Sequence, residues 1–255
     1  MPTALITGAT AGIGAAFASR LAADGFDLVL LARNEERLTQ TAKDLHDKYA
    51  VNTEVLVADL ASEEGLVAAE ERVRKGVDLL VNNAGFGNRG TFLNVPVSDE
   101  LTMLRVHCEA VLRLTYAALP GMIERGRGGV INVSSAAAFA TRGTYGASKA
   151  WVVSFSQGVS ADIAGRSKGN VKVMALCPGF VHTEFHERAQ MSTGDIPGFM
   201  WLEADKVVDA GLRDLRRGLV VSIPGAQYKA IIGVGKLVPR RLVGRLSSRA
   251  GRKYD

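Results

Sequence analysis

Cysteine is nearly absent: the 255 residues contain two, Cys108 and Cys177, with no CxxC or metal-ligand spacing around either. A disulfide-stapled fold is therefore excluded, no metal site is expected, and both thiols are read as reduced packing residues. Long apolar runs are lacking too, since no stretch approaches the roughly 20 residues that a membrane-spanning helix needs. Met1 and Pro2 lead straight into the strand pattern Ala4-Leu5-Ile6-Thr7, without the charged region and apolar core of a secretory leader, so a cytoplasmic location is expected. Internal repeats and low-complexity linkers are missing, and the balance of 47% hydrophobic to 22% charged residues excludes a disordered chain. Acidic residues vanish at one end: from Lys229 to Lys253 there are eight basic residues and no acid.

What is present is an alternation of short aliphatic runs with longer helical patterns, the mark of βαβ units and a parallel sheet. Strands are predicted at about 3–8, 27–32, 53–58, 77–82, 128–134, 170–176 and 219–223. Helices are predicted at about 12–24, 34–49, 62–75, 98–124, 145–165 and 204–217. Ser62, before Glu63 and Glu64, and Ser98, before Asp99 and Glu100, have the chemistry of helix N-caps. Two polar or glycine-rich stretches, 85–90 and 184–198, read as loops at the carboxyl ends of strands, the edge at which open α/β sheets bind ligands.

The first such edge carries Thr7-Gly8-Ala9-Thr10-Ala11-Gly12-Ile13-Gly14, between a strand and a helix. Gly8 suits the tight turn, Gly12 lets backbone approach a pyrophosphate, and Gly14 permits close helix packing, while the helix N-terminus favours the phosphate charge. The fold class that follows is α/β: a single doubly wound Rossmann-type domain with a parallel seven-stranded sheet over residues 1–225, with a substrate loop at 184–201 and a basic amphipathic tail at 226–255. At the end of the second strand, where an acid would pair with the ribose of NAD, the chain has Ala32-Arg33-Asn34, with Arg37 one turn later. Arg33 can offer charge-assisted bonds to a 2′-phosphate, so NADP(H) is the expected cofactor.

Tyr145 and Lys149 lie four residues apart, a spacing that stacks them on one helix face. Hydride transfer to a carbonyl leaves an alkoxide that needs a proton; a phenol titrates near 10 unperturbed, and a neighbouring ammonium stabilises its phenolate. Four elements occur in order: the glycine turn, Asn82-Asn83-Ala84-Gly85, Tyr145-Gly146-Ala147-Ser148-Lys149, and Pro178-Gly179 with Thr183. Over residues 3–183 the chain thereby resembles the short-chain dehydrogenase/reductase family. The resemblance implies catalytic roles for Ser135, Tyr145 and Lys149, Ser134 being the neighbouring alternative for the serine. It also implies cofactor contacts from Gly8, Thr10, Gly12, Ile13, Gly14, Arg33, Asp59, Asn83, Ala84, Gly85, Tyr145, Lys149, Pro178, Gly179 and Thr183. Asp59 serves equally well as a helix-capping residue.

One departure concerns proton supply. In the helix before the catalytic strand, where the family carries an Asn that holds a water path from the lysine, this chain has His107. Its ring can hold water and titrate near neutrality, or simply pack and hydrogen-bond. Phe185, Met191, Ile196, Phe199, Met200 and Trp201 make the substrate loop largely apolar and suggest a lipophilic carbonyl or alcohol. Ile231, Ile232, Val234, Leu237, Val238, Leu242, Val243 and Leu246 alternate with the basic residues of the tail, which suits an anionic membrane surface, a cover over the substrate or an oligomer contact. Gly233, Gly235 and Pro239 weaken a continuous helix there. A homodimer or homotetramer is expected, and nothing points to nucleic acid. Three functions stand: a ketoreductase or alcohol dehydrogenase, an epimerase or dehydratase of the same family, and a catalytically weak NADP-binding regulator.

Overall fold

The computed structural model describes residues 1–140, 143–167, 169–185 and 196–237. Its strands are β1 (Thr3–Thr7), β2 (Asp27–Ala32), β3 (Thr53–Val57), β4 (Leu79–Asn82), β5 (Gly128–Val133), β6 (Val171–Leu176), β7 (Phe180–Val181), β8 (Trp201–Leu202) and β9 (Val221–Ser222). Seven form one parallel sheet in the order β3-β2-β1-β4-β5-β6-β9, and β7 pairs with β8 apart from it. The seven expected strands are all present, and the order reverses between β1 and β4, the switch point where doubly wound sheets bind nucleotides.

Helices cover both faces: α1 (Gly12–Ala23), α2 (Glu35–Tyr49), α3 (Glu63–Arg74), α4 (Val97–Leu104), α5 (Ala110–Glu124), α6 (Gly143–Ser167), α7 (Ala204–Arg216) and α8 (Ala226–Leu237). Because successive strand side chains point to opposite faces, Ala4 and Ile6 join Phe17, Leu38 and Leu212 in one core, while Leu5 joins Leu66 and Leu114 in the other. Covering both faces makes the central strands almost wholly apolar, as their sequences are.

Ser62 caps α3 by accepting the Gly65 N–H, and Asn34 caps α2 by accepting that of Arg37. Three expectations need correction. Ser98 is not a cap: α4 begins directly after Pro96, whose fixed φ sets the entry, and Ser98 lies inside the first turn with its hydroxyl on Asp99. The single helix expected over 98–124 is interrupted by a π turn at Arg105–Glu109. The start of the tail is helical despite Gly233 and Gly235. Each glycine costs about 1 kcal/mol in a helix, but burial of Tyr228 and Ile232 against the domain offsets that, with Ile231 and Val234 outward. Val238, Leu242, Val243 and Leu246 lie outside the described residues.

Candidate active site

The ends of β1 and β4 meet at the switch point. Gly8 turns the chain with φ +67°, and its N–H donates to the Leu31 carbonyl. A Cβ at Gly14 would overlap the Gly8 carbonyl oxygen, so only glycine lets α1 start this close to the turn. Thr10 is half-buried within the turn, and Ile13 packs on the core. The Asn83 amide donates to the carbonyls of Thr7 (2.9 Å) and Gly8 (3.2 Å), while the N–H groups of Asn83 and Ala84 both donate to the Thr7 hydroxyl at 2.9 Å. The side chain of Asn83 therefore shapes the glycine turn itself. Beneath it, Asn82 donates to Thr115 and Asn132, and Asn132 to Ser156, a satisfied buried network that ties β4, β5, α5 and α6 together.

Tyr145 and Lys149 occupy the first turns of α6, as their spacing required. Lys149 is buried, donates to the Val133 carbonyl at 3.1 Å, and sets its Nζ 5.8 Å from the centre of the Tyr145 ring. Burial pushes its pKa down to about 8. Ser134 is buried and donates to the Lys149 carbonyl at 2.7 Å. Ser135 is half-buried and starts a 3₁₀ turn, Ala136–Phe139, that packs on α6, with its oxygen accepting the Ala137 N–H. Strand alternation thus points the two serines differently, leaving Ser135 as the one toward the open side.

His107 sits in the π turn, fully within the site. Its Nε2 accepts the Phe86 N–H at 3.2 Å and its Nδ1 lies 3.0 Å from the Ser148 oxygen, whose own proton goes to the Tyr145 carbonyl. Burial, and next the Lys149 charge, hold its pKa well below the usual imidazole range, so the ring is neutral. An N–H arriving at Nε2 then requires the ring proton on Nδ1. Both ring nitrogens are occupied by protein groups, which favours the second of the two readings: the imidazole struts the loop after β4 against α6. Its ring meets that of Tyr145 edge to face at 5.7 Å. His107→Leu should lower stability by about 1–3 kcal/mol for each partner left unpaired. Turnover per folded molecule should keep the parent pH profile; a profile displaced in the folded variant would restore the water-relay role.

The remaining residues frame this centre. A Cβ at Gly85 would lie 2.9 Å from His107 Nε2 and 3.5 Å from Lys149 Nζ, so the Asn-Asn-Ala-Gly element ends against the lysine. Thr183 faces Gly12, bringing the fourth motif onto the first, and the Pro178 carbonyl accepts the Ala136 N–H at 2.7 Å. Arg33 is exposed at the end of β2, whereas Arg37 is paired with Glu184 at 3.0 Å. Asp59 accepts the Ala61 N–H, a turn role just before α3. Phe185 lies 6.1 Å from Tyr145, and Phe180 lies 5.8 Å from Trp201, which also stacks on His182. Met191 falls outside the described residues. Sequence reasoning missed Phe86, Ser148 and Tyr228, because their roles are contacts with distant residues and leave no local pattern.

A family model described as short chain dehydrogenase matches residues 2–193. Very-long-chain 3-oxoacyl-CoA reductase from Anas platyrhynchos is 36% identical over 201 residues, covering 74% of this chain and 62% of that protein. Very-long-chain 3-oxoacyl-CoA reductase-B from Danio rerio is 32% identical over 258 residues, covering 95% and 78%. Among solved structures, a short-chain dehydrogenase from Sphingobium yanoikuyae in complex with NADPH superposes with a TM-score of 0.83 at 35% identity, covering 92% of this chain and 94% of that one. The chain belongs to the short chain dehydrogenase family.

Proposed function

We propose that this protein is an NADP(H)-dependent oxidoreductase that interconverts a lipophilic carbonyl compound and its alcohol, working as a ketoreductase or alcohol dehydrogenase. The observation that carries the reading is the buried Lys149, held on the Val133 carbonyl beside the Tyr145 ring and against Gly85, at the carboxyl ends of β4 and β5. The names of the relatives, reductases of 3-oxoacyl-CoA, agree with it.

The residues present fit a dinucleotide. Unlike α2 and α3, α1 has no side-chain cap, which leaves its first N–H groups to an outside acceptor. Backbone from Gly8 to Gly14, with Thr10, Gly12 and Ile13, would hold the pyrophosphate. Arg33 would meet the 2′-phosphate and Asp59 the adenine side. Asn83, Ala84, Gly85, Pro178, Gly179 and Thr183 would hold the nicotinamide half. When bound, the cofactor supplies or accepts the hydride.

The chain's own residues manage the oxygen and its proton. Ser135 donates a hydrogen bond to the substrate oxygen, and the Tyr145 phenol gives its proton to the alkoxide that develops there in reduction. The phenolate left behind is stabilised by the Lys149 ammonium, which at a pKa of about 8 is still charged at pH 7. His107 holds Tyr145's turn of helix in register through Ser148. The aromatic surface of Phe180, Phe185 and Trp201 supports a lipophilic substrate.

The test is NADPH oxidation, followed by absorbance, against bulky ketones, aldehydes and 3-oxoacyl thioesters. Turnover is expected; tight NADPH binding without turnover on any of them would favour the regulator instead. Cofactor choice is tested separately. NADPH should bind roughly tenfold to a hundredfold more tightly than NADH, the worth of one charge-assisted bond. Arg33→Asp should reverse the order, and equal affinities in the parent would remove the assignment.

A further inference from the structure

Gly179 entered the sequence reading only through a motif, with no reason for glycine at that place. The structure supplies one from the far end of the chain: a Cβ on Gly179 would fall inside the ring of Tyr228, which reaches across from α8. We infer that Tyr228 is a positioning residue of the active site, fixing the Pro178–Gly179 element against the Gly198–Met200 turn and so placing the Phe180–Trp201 pair, which the proposed function sets against substrate.

Tyr228 is 4% exposed, and its hydroxyl uses both of its ordinary capacities. It accepts the Phe180 N–H at 2.8 Å and donates to the Met200 carbonyl at 2.7 Å. Burial pushes its pKa up, which keeps the proton this second bond requires. The residue before it works on the same turn, for the Gln227 amide donates to the Phe199 carbonyl at 3.0 Å. Adjacent residues of α8 thus hold adjacent carbonyls of one turn, and one of them also holds the strand beside it.

Among the described residues the segments joined in this way are also joined by a short ladder and by the His182 N–H on the Leu202 carbonyl at 3.1 Å. β7 and β8 pair over two residues each, Phe180 with Trp201 and Val181 with Leu202, and so short a two-stranded ladder is marginal by itself. On its other side the same element is fastened to the catalytic serine, through the Pro178 carbonyl and the N–H of Ala136, the neighbour of Ser135. Tyr228 therefore backs the site without touching the reacting atoms. Its loss should be felt where Phe180 and Trp201 stand, not at the Tyr145 proton.

The experiment uses the full chain and the Tyr228→Phe variant, in which the ring still covers Gly179 but both hydroxyl bonds are gone. Hydrogen exchange at the Phe180 amide should accelerate about tenfold or more, the scale of one lost hydrogen bond. KM for a bulky ketone should rise about tenfold while kcat and NADPH affinity stay within about threefold, a split that general destabilisation does not produce. Gly179→Ala should weaken NADPH binding, and Gly179→Ala with Tyr228→Ala should recover most of it, because the overlapping ring is removed. Parent-like exchange and KM in Tyr228→Phe would overturn the inference, as would a fall in kcat at unchanged KM. The substrate arm rests on the reductase reading. If the parent reduces no carbonyl compound, that reading fails, while exchange and the NADPH arm still decide the role of Tyr228.

Discussion

Replacing Tyr145 with Phe is expected to lower kcat for carbonyl reduction by about 10²–10⁴-fold, the contribution of a positioned proton donor. The substitution removes one oxygen and keeps the ring that meets His107 at 5.7 Å and Phe185 at 6.1 Å, so the packing of the site should survive. The phenol acts on the substrate oxygen and not on the nucleotide, so NADPH affinity, read by fluorescence titration, should stay within about threefold. KM should also change little, because the proton is transferred only as the alkoxide develops. Steady-state rates and titrations on the same preparation separate these quantities. A variant that keeps the parent kcat would exclude Tyr145 as the proton donor and return the question to Ser135.

Lys149→Met should abolish measurable turnover and at the same time make the unliganded protein more stable near pH 7. Burial depresses the lysine from 10.5 to about 8, which corresponds to about 3 kcal/mol spent on keeping a buried ammonium charged. Loss of the bond from this ammonium to the Val133 carbonyl returns about 1.5–3 kcal/mol of that gain, so the net stabilisation is about 1 kcal/mol. The pH dependence has a definite sign. Between pH 8 and 10.5 the unfolded chain holds a proton on this lysine that the folded chain has released, so the parent gains stability as pH rises through that window. Below pH 8 both states are protonated and the full cost remains. Denaturant unfolding of parent and variant should therefore show the largest gap at pH 7 and a closing one toward pH 10. A variant less stable than the parent at pH 7 would mean that the ammonium is well solvated in the folded state.

Such a trade is expected of a site in which a charge is buried for chemistry, and it locates the functional demand in the packing around α6. Lys149 has Val133 and Ser134 from the end of β5 and Gly85 from the loop after β4 around it. Each contact is simple, but none is local along the chain.

The division between what was legible in the sequence and what was not follows that distinction. The order of strands and helices, the glycine turn before α1, the Ser62 cap and the shared face of Tyr145 and Lys149 rest on backbone periodicity and on residues within one turn of each other. A linear sequence displays those directly. Tertiary packing alone decided the rest. Ser134 and Ser135 are chemically identical, and only the docking of α6 onto β5 gave one of them the Lys149 carbonyl and left the other to the open side. His107 could serve as water holder or strut until its partners, Phe86 at 21 residues' distance and Ser148 at 41, filled both ring nitrogens. The helix at Ala226–Leu237 formed against its glycines because Tyr228 found a buried seat 48 residues from Phe180, the residue it bonds. In each case the side chain's chemistry was known in advance, but its hydrogen-bond partners and its burial belong to the three-dimensional arrangement, and those are what assign a role.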